Sequence, residues 1–253
     1  MIVQCFGLAK DPLSGNYMLV MNQLNMDLRT YLRQNHNKLS WTERINIASE
    51  ISLALVRIHG ENAIHRDLHS GNVLFHKSEQ GFDISDLGFC GPAHKPLNST
   101  YGNLPYIAPE VITGKETTFA SDIYSIGILI WEISSGQPPF INHEHNYELA
   151  MKIVNGMRPK IVPGTPSEYR KLMELCWDAD LTKRPDANTL DIELGELTRL
   201  YFQNNEQTIS DQESNTPVIN DNSIISMSRN YTSKIYQFKN LSEPRNATEG
   251  NFV

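Results

Sequence analysis

The sequence predicts a mainly α (α+β) fold. A short β-hairpin opens the chain over residues 1–24, a helix-rich body follows over residues 25–200, and a polar tail closes it over residues 201–253. Three observations carry this reading. Two short apolar runs near the start flank a strong turn signal. Apolar residues recur at helical spacing from Ser40 onward. After about Tyr201 the composition shifts to Asn, Ser, Gln, Thr and Glu, which bury too little apolar surface to offset the entropy of folding.

The elements follow in order. Met1 to Phe6 and Tyr17 to Met21 are short and apolar, and Asp11-Pro12-Leu13-Ser14-Gly15-Asn16 between them is rich in turn formers, so the two runs pair as a hairpin. Asp27 to Leu32 reads as a short helix. Ser40-Trp41-Thr42-Glu43 has capping-box form, with Ser40 able to accept from a first-turn amide and Glu43 able to reach back. Ile47, Ile51, Leu55 and Ile58 then mark one buried helical face, and Gly60 ends it. Residues 61–110 read as loops and short strands, a length that points to a functional loop system. Ser121 to Ile133 is apolar nearly all round, as in a helix buried on every side. Thr165-Pro166-Ser167-Glu168 reads as a helix start with Pro166 at the first helical position, and Asp186 to Leu200 gives a final helix. In the tail, expected to be mostly disordered, Ile235-Tyr236-Gln237-Phe238 is the one patch suited to docking.

Composition narrows the function. Hydrophobic residues make up 40% and charged residues 20%, as in ordinary soluble globular chains, and the net charge is −7. An acidic surface is repelled by nucleic acid and by anionic lipid, so neither is an expected partner. Cys5, Cys90 and Cys176 are far apart and lack metal-ligand spacing, so they are expected to be reduced thiols. The start resembles no signal peptide, and the longest apolar stretch, Ile126 to Ile133, is too short to span a membrane. The expected location is cytoplasmic, where Asn98, Asn230, Asn240 and Asn246, although in glycosylation-type tripeptides, stay unmodified.

Phosphoryl transfer needs a carboxylate to orient the attacking hydroxyl, magnesium to neutralise phosphate charge, and a lysine and a glycine loop to hold the nucleotide. The chain contains His65-Arg66-Asp67-Leu68-His69-Ser70-Gly71-Asn72, then Asp86-Leu87-Gly88, then Ala108-Pro109-Glu110. Each tripeptide alone is weak. Their order and spacing together resemble the signature of eukaryotic protein kinases over about residues 1–200. Tyr106-Ile107-Ala108-Pro109-Glu110 and Ser121-Asp122-Ile123-Tyr124-Ser125-Ile126-Gly127 are similar to phrases of the tyrosine-kinase-like group.

The resemblance implies a large helical lobe over residues 25–200 and a small-lobe remnant with hinge over residues 1–24. It implies ATP and Mg2+ as cofactors and a protein as substrate, with Ser/Thr preferred over Tyr. Asp67 matches the catalytic aspartate, and Asn72 and Asp86 match the magnesium ligands, hard oxygen donors suited to that ion. Met21 matches the gatekeeper, the Asn22 carbonyl and Leu24 amide the groups on the adenine edge, and Leu74 the floor beneath the base. His65 and Leu87 match an apolar stack under the site. Arg66 matches the arginine that pairs with a phosphate on the activation segment, where Ser99, Thr100 and Tyr101 stand. Glu110 and Arg184 match a buried ion pair, and Asp122 the anchor of the catalytic loop.

The pattern also departs from the family. No Gly-x-Gly-x-x-Gly occurs in the 253 residues, nor a phosphate-binding lysine with its glutamate upstream of the hinge. The expectation is a chain truncated in its small lobe, with weakened activity and an exposed hairpin that a partner protein or second chain covers. His69 stands where serine/threonine kinases usually have lysine, Asn103 where they have threonine, and Leu87 where phenylalanine is usual. A catalytically inactive, pseudokinase-like interaction module is the alternative that these absences favour, while the retained Asp67, Asn72 and Asp86 favour a kinase. An aminoglycoside-type small-molecule kinase shares the aspartate and asparagine but not the Ala108-Pro109-Glu110, Asp122 and Arg184 framework.

Overall fold

A computed structural model describes residues 1–92, 100–207, 231–238 and 241–253. Strands β1 (Cys5–Lys10) and β2 (Tyr17–Met21) pair antiparallel, with Lys10 opposite Tyr17 and Leu8 opposite Leu19. The Asp11 carboxylate accepts from the Leu13 and Ser14 amides, and the Gly15 amide donates to the Asp11 carbonyl, so the turn is held by its own aspartate. The first strand lies later than Met1–Phe6 because the opening residues pair elsewhere. The Val3 amide donates to the Ile84 carbonyl, the Ile84 amide to the Met1 carbonyl, and the Met1 ammonium sits 2.8 Å from Asp83. The hairpin is little buried: Leu8, Tyr17 and Leu19 are each more than 60% exposed.

Beyond the hairpin lie β3 (Met26–Asp27) and α1 (Leu28–Asn35), whose first turn Asp27 caps by accepting from the Thr30 amide. Helix α2 (Trp41–Gly60) opens on the expected capping box. The Glu43 amide donates to Ser40 Oγ at 3.2 Å, and the Ser40 amide donates to Glu43 Oε2 at 2.7 Å. Ile47, Ile51, Leu55 and Ile58 are all buried. Ser40→Ala is expected to cost about 1 kcal/mol, read as a lower urea midpoint with an unchanged slope; no change would mean that solvent satisfies those amides equally well.

The loop region carries the short strands β4 (Ala63–Ile64), β5 (Val73–His76), β6 (Gly81–Ile84), β7 (Gly91–Pro92) and β8 (Thr100–Gly102). β3, β5 and β6 form one antiparallel sheet in that order, and β4 pairs with β7. The remaining helices are α3 (Pro109–Ile112), α4 (Phe119–Ser135), α5 (Tyr147–Val154), α6 (Ser167–Cys176) and α7 (Ala187–Gln207). Helix α4 is buried from Ser121 to Ser134, on all faces as its composition predicts, and packs against α2 and α6. Gly127 allows the α6 approach, since a β-carbon there would meet the Cys176 side chain at 2.7 Å. Pro166 is the N-cap of α6 and not its first helical residue. The two positions differ by a single residue, and proline, with no N–H to offer, suits both. Cys5, Cys90 and Cys176 are free thiols.

Part of the tail, expected to be mostly disordered, is ordered, and the Ile235–Phe238 patch lies in one of the ordered segments. Helix α7 runs to Gln207, and two later segments lie on the body. Residues 234–236 form β9 (Lys234–Tyr236), antiparallel to β8 with Tyr101 opposite Ile235. Residues 241–253 run along the loop after α5: the Arg245 amide donates to the Val154 carbonyl, the Arg158 amide to the Asn251 carbonyl, and the Val253 amide to the Arg158 carbonyl. Gly156, at φ +95°, leaves room for this segment; a β-carbon there would lie 2.3 Å from the Asn246 carbonyl oxygen. The tail is ordered here through backbone hydrogen bonds, which composition does not reveal. Residues 208–230 and Asn240 lie outside the described residues.

Candidate active site

Residues His65 to Asn72, expected to form the catalytic loop, follow β4. Their backbone is clamped by Asp122 at the start of α4: Oδ2 accepts from the His65 amide at 2.8 Å and Oδ1 from the Arg66 amide at 3.0 Å. His59 Nε2 lies 3.0 Å from the same carboxylate. The clamp holds Arg66 at φ +72°, a conformation unfavourable for a non-glycine residue. His65 is fully buried; its Nδ1 accepts from the Asp67 amide, so its Nε2–H donates to the Ser85 carbonyl at 3.0 Å. The other half of the expected stack is not seen. Leu87 is 42% exposed, because a turn in which the Cys90 amide donates to the Leu87 carbonyl lifts it towards solvent.

Asp67 is buried at 4% exposure. Burial pushes its pKa up, and Asp86 adds to that push, against the Ser233 hydrogen bond that opposes it. Asn72 Nδ2 donates to the Asp67 carbonyl at 2.8 Å, which leaves Oδ1 as the accepting face of the amide. The Asn72 carbonyl in turn accepts from the Ser85 amide and hydroxyl, so Asn72 is linked to the backbone that leads into Asp86. Asp86 is exposed and adopts φ +56°. Asp67, Asn72 and Asp86 are thus brought into one neighbourhood by the catalytic loop and the β5–β6 hairpin. Among the described residues no group of three or more His, Cys, Asp or Glu side chains forms a metal site by itself.

His69 Nε2 lies 3.7 Å from Asp67 Oδ1, but the two are not an ion pair. Burial, with Arg29 and His65 nearby, pulls the His69 pKa down to about 3, so the ring is neutral. The Gly71 amide donates to its Nδ1 at 3.0 Å, which places the ring proton on Nε2.

Behind the loop, Ser70 and Tyr106 both donate to the buried Glu132, and Arg29 Nε lies 3.5 Å from the same carboxylate. Arg184 forms a two-pronged pair with Glu110, at 2.8 and 2.9 Å, and also donates to the Ala120 and Asp178 carbonyls. Arg66 donates to the Phe89 carbonyl at 3.2 Å. Ser99 lies outside the described residues; the Thr100 hydroxyl donates to the Val111 carbonyl, and Tyr101 stacks on Phe89.

Met21, Asn22 and Leu24, expected on the nucleotide side, sit where β2 runs towards β3. Met21 ends β2, 46% exposed, and the Asn22 amide donates to the Gln4 carbonyl at 3.3 Å. Leu74 lies on β5 opposite Asp27. Leu24 is half-buried.

These contacts give the loop clamp, the Glu110–Arg184 pair and the three-residue polar centre of a kinase large lobe, and the chain matches the profile of the protein tyrosine and serine/threonine kinase family over residues 1–194. This chain belongs to that family. It is similar to the dual serine/threonine and tyrosine protein kinase of Homo sapiens, 34% identical over 195 residues, which cover 75% of this chain and 20% of that protein. The probable serine/threonine-protein kinase pats1 of Dictyostelium discoideum is 30% identical over 209 residues, 79% of this chain and 6% of its own length. The dual serine/threonine and tyrosine protein kinase of Gallus gallus is 34% identical over 172 residues, 66% of this chain and 18% of that protein. The chain therefore spans a fifth or less of each of these relatives.

Sequence reasoning missed Tyr231, Ser233 and the Arg29–Glu132 pair. Ser233 Oγ donates to Asp67 Oδ1 at 2.8 Å and lies 3.1 Å from His69 Nε2, and Asn103 Nδ2 donates to the Tyr231 carbonyl at 2.7 Å. The only sequence signal for this contact is the apolar patch just beyond it, Ile235 to Phe238.

Proposed function

We propose that the chain transfers the terminal phosphoryl group of ATP, with Mg2+, to a hydroxyl of a protein substrate, serine or threonine in preference to tyrosine. The observation that carries this is Asp67: a buried carboxylate whose Oδ1 accepts a serine hydroxyl, beside Asn72 and Asp86. A non-catalytic module needs none of these three groups.

The residues fit the ion and the nucleotide. The Asn72 amide is turned by its own hydrogen bond so that its oxygen is the available donor, and the Asp86 carboxylate is exposed. Two hard oxygens suit magnesium, which completes its shell with water and phosphate. Bound there, the ion supplies neutralisation of phosphate charge. Asp67 orients the acceptor and takes its proton. Neutral His69 donates a hydrogen bond where a lysine would supply a charge. Met21, the Asn22 carbonyl, the Leu24 amide and Leu74 receive the adenine. The exposed apolar face of the β1–β2 hairpin is where a partner protein or a second chain packs. The location is cytoplasmic; among the described residues no helix is long and apolar enough to cross a membrane.

The test is transfer from labelled ATP to a general protein acceptor, with and without magnesium. Label on protein that disappears on chelation, and in Asp86→Asn, is the expected result. A folded chain that labels nothing under either condition overturns the proposal in favour of the interaction module.

A further inference from the structure

The tail enters the acceptor side of the site with a hydroxyl on the catalytic carboxylate. We propose that residues 231–238 are a substrate segment that the chain presents to its own active site, with Ser233 as the phosphoacceptor. The inference rests on the kinase reading above.

The hydrogen-bond directions are determined by the groups around Ser233. The neutral His69 ring accepts at Nδ1 from the Gly71 amide, so its Nε2–H is the donor to Ser233 Oγ at 3.1 Å. The single proton of the hydroxyl is then directed at Asp67 Oδ1, 2.8 Å away. The Tyr101 hydroxyl also lies beside Ser233, and with it turned away a lone pair of Oγ remains for bond formation. A segment that only blocked the cleft would need no hydroxyl at this point.

Three further contacts hold the segment in register. β9 adds to β8 as an antiparallel strand, so backbone bonds seat residues 234–236. Tyr231, two residues before Ser233, is 6% exposed in a pocket of its own. The Arg29 guanidinium lies over its ring at 4.4 Å, His145 meets it edge-on at 4.7 Å, and its hydroxyl donates to the Pro139 carbonyl. Asn103 donates to the Tyr231 carbonyl. His69 and Asn103 are two of the residues at which this chain departs from the family pattern, and both bind the tail.

The step balances as follows. The Ser233 O–H bond breaks and its proton passes to Asp67 Oδ1. Oγ bonds to the terminal phosphorus of the nucleoside triphosphate, and the nucleoside diphosphate leaves with the electron pair of the broken phosphorus–oxygen bond. The phosphoserine then carries about −1.5 to −2 charges beside Asp67 and Asp86, and like-charge repulsion drives the segment out. Phosphorylation of Ser233 therefore opens the cleft to external protein substrates.

The test uses the full chain and two readouts. Without nucleotide, hydrogen exchange at the amides of residues 234–236 is expected to be at least about tenfold slower than in Tyr231→Ala, and unchanged in Ser233→Ala. Equal exchange in wild type and Tyr231→Ala overturns the docking. With magnesium and ATP, site-resolved mass spectrometry is expected to find phosphate on Ser233, formed at a rate independent of chain concentration, followed by faster exchange at residues 234–236. Phosphate on an added protein acceptor with Ser233 bare, or on Thr232 instead, overturns this inference and leaves the kinase reading standing. A Ser233 rate that rises with chain concentration also overturns it, since transfer is then between chains. Phosphate on neither Ser233 nor the acceptor overturns the kinase reading and the acceptor role of Ser233 with it; protected amides at 234–236 would then mark a blocking strand.

Discussion

Asp67→Asn is expected to slow phosphoryl transfer by about 10²–10⁴-fold, the usual contribution of a positioned general base, while leaving the unfolding midpoint at or slightly above that of the wild type. Asparagine keeps the shape of the side chain, and its oxygen still accepts from the Ser233 hydroxyl. It cannot take the proton. The stability expectation has a separate cause: burial disfavours the charged carboxylate, as the upward push on its pKa shows, so removing the charge costs the fold nothing. Initial rates with labelled ATP and a urea titration on the same samples check both halves. A rate within a factor of two of the wild type would remove Asp67 from the chemistry.

Arg184→Ala is expected to lower stability by about 3–5 kcal/mol, the cost of leaving a buried charge without its partner. The side chain of Arg184 has no solvent exposure and that of Glu110 is 3% exposed. Arg184 also donates to two backbone carbonyls, of Ala120 and Asp178, so the variant removes four hydrogen bonds at once. Against a typical total of about 5–15 kcal/mol, that is enough to leave much of the population unfolded at growth temperature. The double variant Glu110→Gln with Arg184→Met is expected to lose less than the sum of the single changes, because neither partner is then left charged and alone. Denaturant midpoints read all of these; a loss under about 1 kcal/mol for Arg184→Ala would mean that water reaches Glu110 in the variant.

Much of the large lobe could be read from residue order because its signals are local. Ser40 and Glu43 are three residues apart, and the apolar stripe of α2 lies within one helix. Asp67 and Asn72 lie five residues apart, within one loop. The resemblance supplied the longer links, from Asp122 to the His65 and Arg66 amides and from Glu110 to Arg184. What escaped was contact made by backbone or by distant polar groups. β9 is bound by main-chain hydrogen bonds that any sequence of suitable shape can make, so Lys234-Ile235-Tyr236 carries no mark of its partner. Ser233 is one serine among many in a polar stretch, and its meaning comes from lying 166 positions beyond Asp67 in sequence and 2.8 Å away in space. The exposure of Leu87 escapes for the opposite reason: the motif implies the surroundings usual for the family, while the side chain, in the Leu87–Cys90 turn, is exposed.

The seating of residues 241–253 has a consequence for competition. Two residues separate this anchored stretch from the segment at Asp67, so on release the segment remains within a few ångströms to a couple of nanometres of the cleft. A tether that short gives an effective local concentration in the millimolar range. A free protein acceptor of equal intrinsic affinity, present at about micromolar concentration, would then occupy the cleft roughly one time in a thousand. Bulk supply of substrate hardly changes that ratio. The throughput of the site is set within the chain, by the charge on one serine.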